Sequence, residues 1–395
     1  MLEIKEHNVK AFFELVKAGL FPVHGEGVMV HGQDKRQSRA IESLFRDVDW
    51  DEVYRLAEEQ SVVGLVAAGI EAVQGKWLKV HGSPLVPQAV ALQFVDQTLQ
   101  IEQRNKLMNE FVARLIEKLR QNDIYALLVK GQGIAQCYEK PLWRSCGDVD
   151  LYLSKDNYEK AKVFLIPLAQ HIETEDKKKL HLGMSIEGWI VELHGTMHTY
   201  ISRRINKVND EVHRDIFFNG NVRSWNNNGV QVFFPSANND AIIVFNHFIN
   251  HFYGEGVGLR QICDWCRLLW TYKDSLNHGL LEQRIKSARL MSEWKAFAAF
   301  AVDYLGMPEE AMPFYEDKLS WHRKAEKICK LVIETGNFGH NKDYSYRSEY
   351  SGLIGNFITA WRRFNEFARI AMIFPWNAPK FYMTYLINRF RAVAQ

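Results

Sequence analysis

The stretch that most constrains the fold runs from Ala89 to Gln121, because it contains neither proline nor glycine. Apolar residues recur within it at helical spacing, which predicts one long helix. The pattern changes directly afterwards, where residues 124–129 form a short apolar run of the kind found in buried β-strands. A chain that passes from a long helix into a buried strand is expected to join helical regions to a sheet.

Further strands are predicted in the middle of the chain. Residues 148–153 alternate in polarity, which is typical of a strand. Residues 180–186 and 189–194 predict a hairpin that turns at Glu187-Gly188. Residues 230–234 predict another strand, and the rest of residues 196–235 is of mixed character.

One helix is predicted between the strands, at residues 156–168. On the carboxyl side of the strands, helices are predicted at residues 238–252, 258–272, 280–305, 320–335, 351–372 and 377–392. The sequence therefore predicts an α+β fold with three parts. A small mixed β-sheet core at residues 123–236 is flanked by an N-terminal helical region, residues 1–122, and a C-terminal helical region, residues 237–395.

Composition limits the setting in which such a chain works. The 395 residues carry a net charge of +2, so charge alone does not indicate a nucleic-acid partner. Five cysteines without regular spacing favour a reducing, cytoplasmic environment. The first residues lack the pattern of a signal peptide, and no apolar run approaches the roughly 20 residues of a transmembrane helix.

Two aspartates begin the second predicted strand. Side chains two positions apart on a strand point to the same face, so Asp148 and Asp150 present neighbouring carboxylates. Two such charges repel each other, and a divalent cation relieves the repulsion. Mg²⁺ takes oxygen ligands and usually shares its shell with substrate phosphates. An acidic pair alone is equally typical of a solvated strand face, so neighbouring motifs decide between the two interpretations.

A glycine turn follows the first predicted strand. Glycines at a strand-to-helix turn expose backbone N–H groups, and a helix start favours anions. Lys130 adds a point charge suited to a phosphate. The turn residues are Lys130, Gly131, Gln132 and Gly133. This turn is therefore a candidate phosphate site.

A third carboxylate stands on the last predicted strand of the core. Glu192 lies in an apolar strand, where an unpaired charge is costly. His194 shares its strand face and is placed to orient it. With the aspartate pair, the three acids form a candidate metal site.

These motifs together resemble a known family. Three segments carry the resemblance: Leu128-Val-Lys-Gly-Gln-Gly-Ile-Ala-Gln-Cys-Tyr138, Pro141-Leu-Trp-Arg-Ser-Cys-Gly-Asp-Val-Asp-Leu-Tyr-Leu153 and Val191-Glu-Leu-His194. They resemble the uncharacterised nucleotidyltransferase family of the polymerase-β-like nucleotidyltransferase superfamily, over roughly residues 45–275. The central sheet would then be a nucleotidyltransferase core.

The resemblance implies a reaction and its cofactors. Asp148 and Asp150 would hold Mg²⁺ or Mn²⁺, and Glu192 would be the third acid, which activates the acceptor hydroxyl. A nucleoside triphosphate such as ATP would give its nucleoside monophosphate to that hydroxyl and release pyrophosphate. The acceptor stays open: a protein, an RNA, a sugar or a small molecule.

Two departures from the superfamily pattern keep an alternative open. The superfamily turn is usually Gly-Gly or Gly-Ser, whereas this chain has Gly131-Gln-Gly133, and the third acid is more often aspartate. The alternative is a nucleotide-binding module that has lost catalysis and acts through partner interactions.

Five other residues have two interpretations each. His247 and His251 are core histidines by the commoner pattern, and the resemblance implies contact with the nucleotide. Arg144 either pairs with a nearby acid or binds a phosphate. Arg260 and Asp264 either form an ion pair on a helix surface or, as the resemblance implies, join the helical region to the active site.

Overall fold

A computed structural model describes residues 6–21, 43–81, 84–254, 256–337 and 352–393. Residue 351, the predicted start of one helix, and residues 1–5, which belong to the N-terminal segment tested for a signal peptide, lie outside this part of the chain.

Among the described residues, four α-helices with stated bounds precede the sheet. They are α1 (Glu6–Leu20), α2 (Trp50–Glu59), α3 (Val63–His81) and α4 (Gln88–Gln121). The predicted long helix is confirmed by α4, which begins after Pro87 and runs without a breaker. Helices α1 and α3 approach closely, since a Cβ atom at Gly69 would lie 1.9 Å from the carbonyl oxygen of Leu15.

The central sheet has five strands in the order β1-β2-β5-β4-β3. They are β1 (Ala126–Val129), β2 (Asp148–Leu153), β3 (His171–Ile172), β4 (His181–Ile186) and β5 (Trp189–His194). Only the β2–β5 pairing is parallel, so the sheet is mixed, as predicted. Two α-helices lie within this part of the chain: α5 (Gly131–Ala135) between β1 and β2, and α6 (Lys155–Leu165) after β2.

The predicted hairpin of β4 and β5 is confirmed. Glu187 and Gly188 both have positive φ, 51° and 78°, as a two-residue type I′ turn requires. This turn sets the pairing of the two strands, and it brings His181 opposite His194.

The remaining strands and α-helices of the described residues are a hairpin and eight helices. They are α7 (Arg203–Phe217), β6 (Val222–Asn227), β7 (Val230–Pro235), α8 (Ala237–Tyr253), α9 (Leu259–Thr271), α10 (His278–Ala288), α11 (Met291–Leu305), α12 (Leu319–Thr335), α13 (Gly352–Ala371) and α14 (Ala378–Val393). Helix α7 lies in the segment of mixed character and was not predicted.

One predicted helix is wrong in its extent. Residues 280–305 form two helices, α10 and α11, which separate at Arg289 and Leu290. Arg289 adopts a left-handed conformation, with φ of 58°. The sequence has neither proline nor glycine at this point, so the break depends on packing and not on a local breaker.

Helices cover both faces of the sheet. On one face, Leu128, Leu151 and Leu193 belong to a cluster with α4 and α6. On the other, Val129 and Tyr152 belong to a larger cluster that includes the N-terminal helices and α8 to α12. Alternation along β2 places Asp148 and Asp150 on the face of Tyr152. The carboxylates therefore face the C-terminal helices.

In the described part of the chain, no helix combines the length and the apolar character needed to cross a membrane. The five cysteines are buried and free of disulfides. The three-part division of the chain stays a prediction.

Candidate active site

Three carboxylates meet on the sheet. The parallel register of β2 and β5 sets Asp150 directly opposite Glu192, with Asp148 two residues before Asp150. One oxygen of each of the three carboxylates lies within 4.8 Å of the others. Asp150 is 2 % exposed, and Asp148 and Glu192 are half-buried. Repulsion from Asp150, together with burial, raises the pKa of Asp148.

Lys130 contacts this cluster with its ammonium group. Its Nζ atom lies 2.7 Å from Oδ1 of Asp150, and its backbone turns from β1 into α5 with a φ of 55°. Burial opposes its charge, but attraction to Asp150, Glu192 and Asp148 raises the pKa of Lys130. One lysine faces three carboxylates, so the donor set fits a hard divalent cation such as Mg²⁺.

Two histidines contact the same carboxylates. His194 Nε2 lies 2.7 Å from Oδ1 of Asp150 and 3.4 Å from Oε2 of Glu192. His181 Nε2 lies 3.3 Å from that same Glu192 oxygen. Burial and Lys130 oppose the charge on His194, but hydrogen bonds to both carboxylates raise its pKa. Burial opposes the charge on Glu192, but both histidines and Lys130 hold its pKa below the usual range.

Helix α8 contributes a second histidine pair. The rings of His247 and His251 lie 4.5 Å apart, one turn from each other. Burial, then repulsion from Lys130, lowers the pKa of His247 well below its ordinary value. The same causes lower the pKa of His251 to about 4. Both imidazoles are therefore neutral at pH 7.

Arg144 and Asp264 form a buried ion pair. Arg144 Nε and Nη2 lie 3.0 and 2.5 Å from the two carboxylate oxygens of Asp264. The Tyr138 hydroxyl donates to the same carboxylate at 2.8 Å. Arg144 therefore pairs with a nearby acid, which is the first of its two predicted roles.

The ion pair expected between Arg260 and Asp264 on a helix surface is replaced by another arrangement. Asp264 is buried and pairs with Arg144. Arg260 instead donates from Nη1 to the carbonyl oxygen of Ser145 at 2.9 Å. Its Nε atom is buried and has no hydrogen-bond partner among the described residues.

The residues of the glycine turn divide into two groups. Lys130 and Gly131 line the cavity beside the carboxylates. The buried Gln132 side chain turns to α4 instead, where its Nε2 donates to Asn105 Oδ1 at 2.9 Å. Gly133 lies against Phe234, since a Cβ atom there would sit 3.2 Å from the ring.

Two cavities meet at this site. One, of about 260 Å³, is bordered by the three carboxylates, Lys130, Gly131, Arg144, Asp264, Arg260, His247 and His251. The other, of about 230 Å³, is bordered by His181, His194, Asn246 and Asn250. Lys130, Glu192, His247 and His251 line both. The cavities thus adjoin along these four side chains.

Sequence patterns missed three contributors to the site: His181, Tyr138 and Ser145. The hairpin turn, which was predicted, would have placed His181 opposite His194. The contact of Ser145 with Arg260 and that of Tyr138 with Asp264 join positions more than 100 residues apart. No local pattern indicates such contacts.

Comparison with protein-family models gives a match for this chain. A family model described as an uncharacterised nucleotidyltransferase matches residues 46–306, which is more than half of the chain. Comparison with curated proteins and with solved structures gives no match. The matched residues include all three carboxylates, the glycine turn and helices α8 and α9. The chain therefore belongs to the uncharacterised nucleotidyltransferase family.

Proposed function

We propose that the protein transfers a nucleoside monophosphate from a nucleoside triphosphate, ATP among them, to an acceptor hydroxyl. The acceptor gives up its hydroxyl proton, a new bond forms between its oxygen and the α-phosphorus, and the bond to the β-phosphate breaks. Pyrophosphate and a proton are released. The observation that carries the proposal is the three-carboxylate cluster of Asp148, Asp150 and Glu192 in a member of this family.

The carboxylates are proposed to hold Mg²⁺ or Mn²⁺. Their oxygens converge, and the repulsion between Asp148 and Asp150 is the kind that a bound cation relieves. When bound, the ion neutralises charge on the phosphates and aligns the acceptor with the leaving group. Lys130 is proposed to exchange its contact with Asp150 for a phosphate of the nucleotide.

Arg260 is the second proposed phosphate ligand. Its guanidinium faces the cavity of the carboxylates and keeps one N–H without a hydrogen-bond partner among the described residues. Arg144 lines the same cavity, but Asp264 occupies its guanidinium. We therefore assign Arg144 and Asp264 the part of holding α9, which carries Arg260, against the start of β2.

The other residues of the glycine turn and the histidines are proposed to position the site or to contact the nucleotide. Gly131 is proposed to offer its backbone to the triphosphate, whereas Gln132 and Gly133 fix the turn through their contacts with Asn105 and Phe234. His194 is proposed to orient Asp150 and Glu192 through its hydrogen bonds. His247 and His251, both neutral, are proposed to contact the nucleotide from α8.

The acceptor class is left to experiment, among proteins, RNAs, sugars and small molecules. Buried, free thiols in all five cysteines support the predicted cytoplasmic setting.

The test supplies α-phosphate-labelled nucleotides, Mg²⁺ or Mn²⁺ and pools of acceptors of the four classes. Label is expected to pass to one pool with release of pyrophosphate. Asp148→Asn and Asp150→Asn are expected to abolish both signals. Asp156→Asn, which changes an exposed aspartate at the start of α6, is the matched control and is expected to behave as wild type.

Two results would redirect the proposal. If the Asp148→Asn and Asp150→Asn variants bind metal and nucleotide as tightly as wild type, the site assignment is wrong. If wild type binds nucleotide through these aspartates but transfers label to none of the pools, the chain is a nucleotide-binding module without catalysis.

A further inference from the structure

A second group of potential metal ligands adjoins the carboxylate cluster and shares Glu192 with it. His181 and His194 are paired across β4 and β5, and their rings lie 4.8 Å apart. Their Nε2 atoms lie 3.3 and 3.4 Å from the same oxygen of Glu192. Each of the three residues offers one ligand atom, and these atoms lie within 4.8 Å of one another. The group is therefore compact enough to surround one ion.

We propose that His181, His194 and Glu192 bind a first-row transition-metal ion such as Zn²⁺ or Co²⁺. Imidazole nitrogen suits these ions, whereas Mg²⁺ takes oxygen ligands. Two histidines and one carboxylate, with a further position open, are a ligand set of catalytic zinc sites. The neighbouring aspartates supply only oxygen, so the two groups differ in the ion that they prefer.

The strands hold these ligands in place before any ion arrives. All three side chains stand on paired strands, β4 and β5, and a hairpin with a two-residue turn fixes their register. Ligands on strands are held more precisely than ligands on loops. His194 Nε2 forms a hydrogen bond with Asp150 Oδ1 at 2.7 Å. An ion bound at this nitrogen would displace the proton of that hydrogen bond, and the metal contact would then hold the His194 ring in place.

The cavity beside these three ligands leaves room for a further ligand of the ion. His181, Glu192 and His194 line the cavity of about 230 Å³, which neither Asp148 nor Asp150 borders. Lys130 and Lys179 also border this cavity, and neutral polar side chains, Asn246 and Asn250 among them, form another part of its wall. The two asparagines suit a hydroxylated ligand, so an ion here would face the acceptor hydroxyl. That role rests on the proposed function, whereas binding of the ion does not.

The test titrates the metal-free, full-length protein with Co²⁺ alone and follows its visible absorption, which is intense for a four-coordinate ion and weak for the six-coordinate ion in water. One equivalent is expected to bind, and Zn²⁺ is expected to displace it at lower concentration than Mg²⁺. His181→Gln is expected to weaken Co²⁺ binding at least about tenfold. His181→Asp replaces nitrogen with oxygen, so it is expected to keep binding but to lose much of the preference for Co²⁺ over Mg²⁺.

His198→Gln is the matched control. His198 borders the same cavity, but its Nε2 bonds to Asp210 at 2.7 Å and lies outside the ligand group. Its substitution is expected to leave Co²⁺ binding unchanged. Circular dichroism of each variant confirms that it is folded.

The inference is overturned if wild type gives no increase in visible Co²⁺ absorption, or if folded His181→Gln binds Co²⁺ as wild type does. Equal losses in His181→Gln and His198→Gln also overturn it. Failure of the proposed function gives a different result. Asp148→Asn would then leave nucleotide binding unchanged, while the dependence of Co²⁺ binding on His181 would persist.

Discussion

Asp150 and Glu192 lie directly opposite each other on the neighbouring parallel strands β2 and β5. Because side chains alternate along a strand, a shift of one residue in this register would turn Glu192 to the opposite face of the sheet. The register thus decides whether the site has two carboxylates or three. It also decides how much negative charge Lys130 faces, because Asp148, Asp150 and Glu192 all attract its ammonium group.

Glu192→Gln tests whether the third carboxylate holds the metal. The change removes one negative charge from the cluster while keeping the shape of the side chain. Affinity for Mg²⁺ and nucleotide is expected to fall by more than the roughly 10–100-fold typical of losing an outer-shell partner. Isothermal titration calorimetry measures it. Glu110→Gln, an exposed glutamate on α4, is the control; equal affinities in both variants would contradict a ligand role for Glu192.

Asp264→Asn tests the buried ion pair with Arg144. Both side chains are 7 % exposed, so the substitution leaves a buried guanidinium without its counter-charge. The free energy of unfolding is expected to fall by about 3–5 kcal/mol, measured by urea denaturation. In the exposed pair of His198 and Asp210, Asp210→Asn is expected to cost about 0–1 kcal/mol. Similar losses in the two variants would mean that burial adds little to the Arg144 pair.

Glu293 gives the stability of the protein a pH dependence. Burial raises the pKa of this carboxyl group, although Asn377 and Tyr253 donate hydrogen bonds to it. At pH values just above 4.5, the pKa of the unfolded state, Glu293 therefore keeps its proton in the folded protein and loses it in the unfolded protein. Stability from this group is present below pH 4.5 and is lost as pH rises through the folded pKa. Glu293→Gln is expected to remove that loss.

Urea denaturation of wild type and Glu293→Gln between pH 4 and 8 measures this effect, and the stability of the variant relative to wild type is expected to rise with pH. Glu316 is the contrasting case. Hydrogen bonds from Lys295, Lys318 and Trp321 lower its pKa to about 2. Glu316→Gln is therefore expected to show a smaller change of opposite sign. A constant difference between wild type and Glu293→Gln would show that Glu293 does not titrate differently on folding.

Local patterns in the sequence predicted the parts of the fold that local interactions determine. The absence of proline and glycine from residues 89–121 was enough for α4, and Glu187-Gly188 was enough for the hairpin of β4 and β5. That hairpin also fixes His181 opposite His194, because residues pair symmetrically about a two-residue turn. The position of His181 beside His194 could therefore have been predicted from the sequence.

Contacts between segments that are distant in the sequence could not be predicted from local patterns. The parallel pairing of β2 with β5 joins strands that α6, β3 and β4 separate along the chain, and no turn specifies its register. Arg144 and Asp264 are 120 positions apart. Each has nearer candidate partners in the sequence, and only the packing of α9 against the start of β2 selects this one. The sequence predicted the residue types of the site, and the tertiary structure determines their partners.

Arg260→Gln separates a binding role for this arginine from a structural one. In the protein without nucleotide, burial lowers the pKa of Arg260, and its Nε atom has no hydrogen-bond partner among the described residues. Removing the charge is therefore expected to leave the free energy of unfolding unchanged or to raise it. Nucleotide affinity is expected to fall about 10–100-fold, since a hydrogen bond to a charged group contributes about 1.5–3 kcal/mol.

Arg144→Gln is the comparison. It breaks the ion pair with Asp264, so its main expected effect is a lower free energy of unfolding. Urea denaturation without nucleotide and calorimetric titration with nucleotide distinguish the two. Lower stability with unchanged nucleotide affinity in Arg260→Gln would show that Arg260 supports the fold and does not bind phosphate.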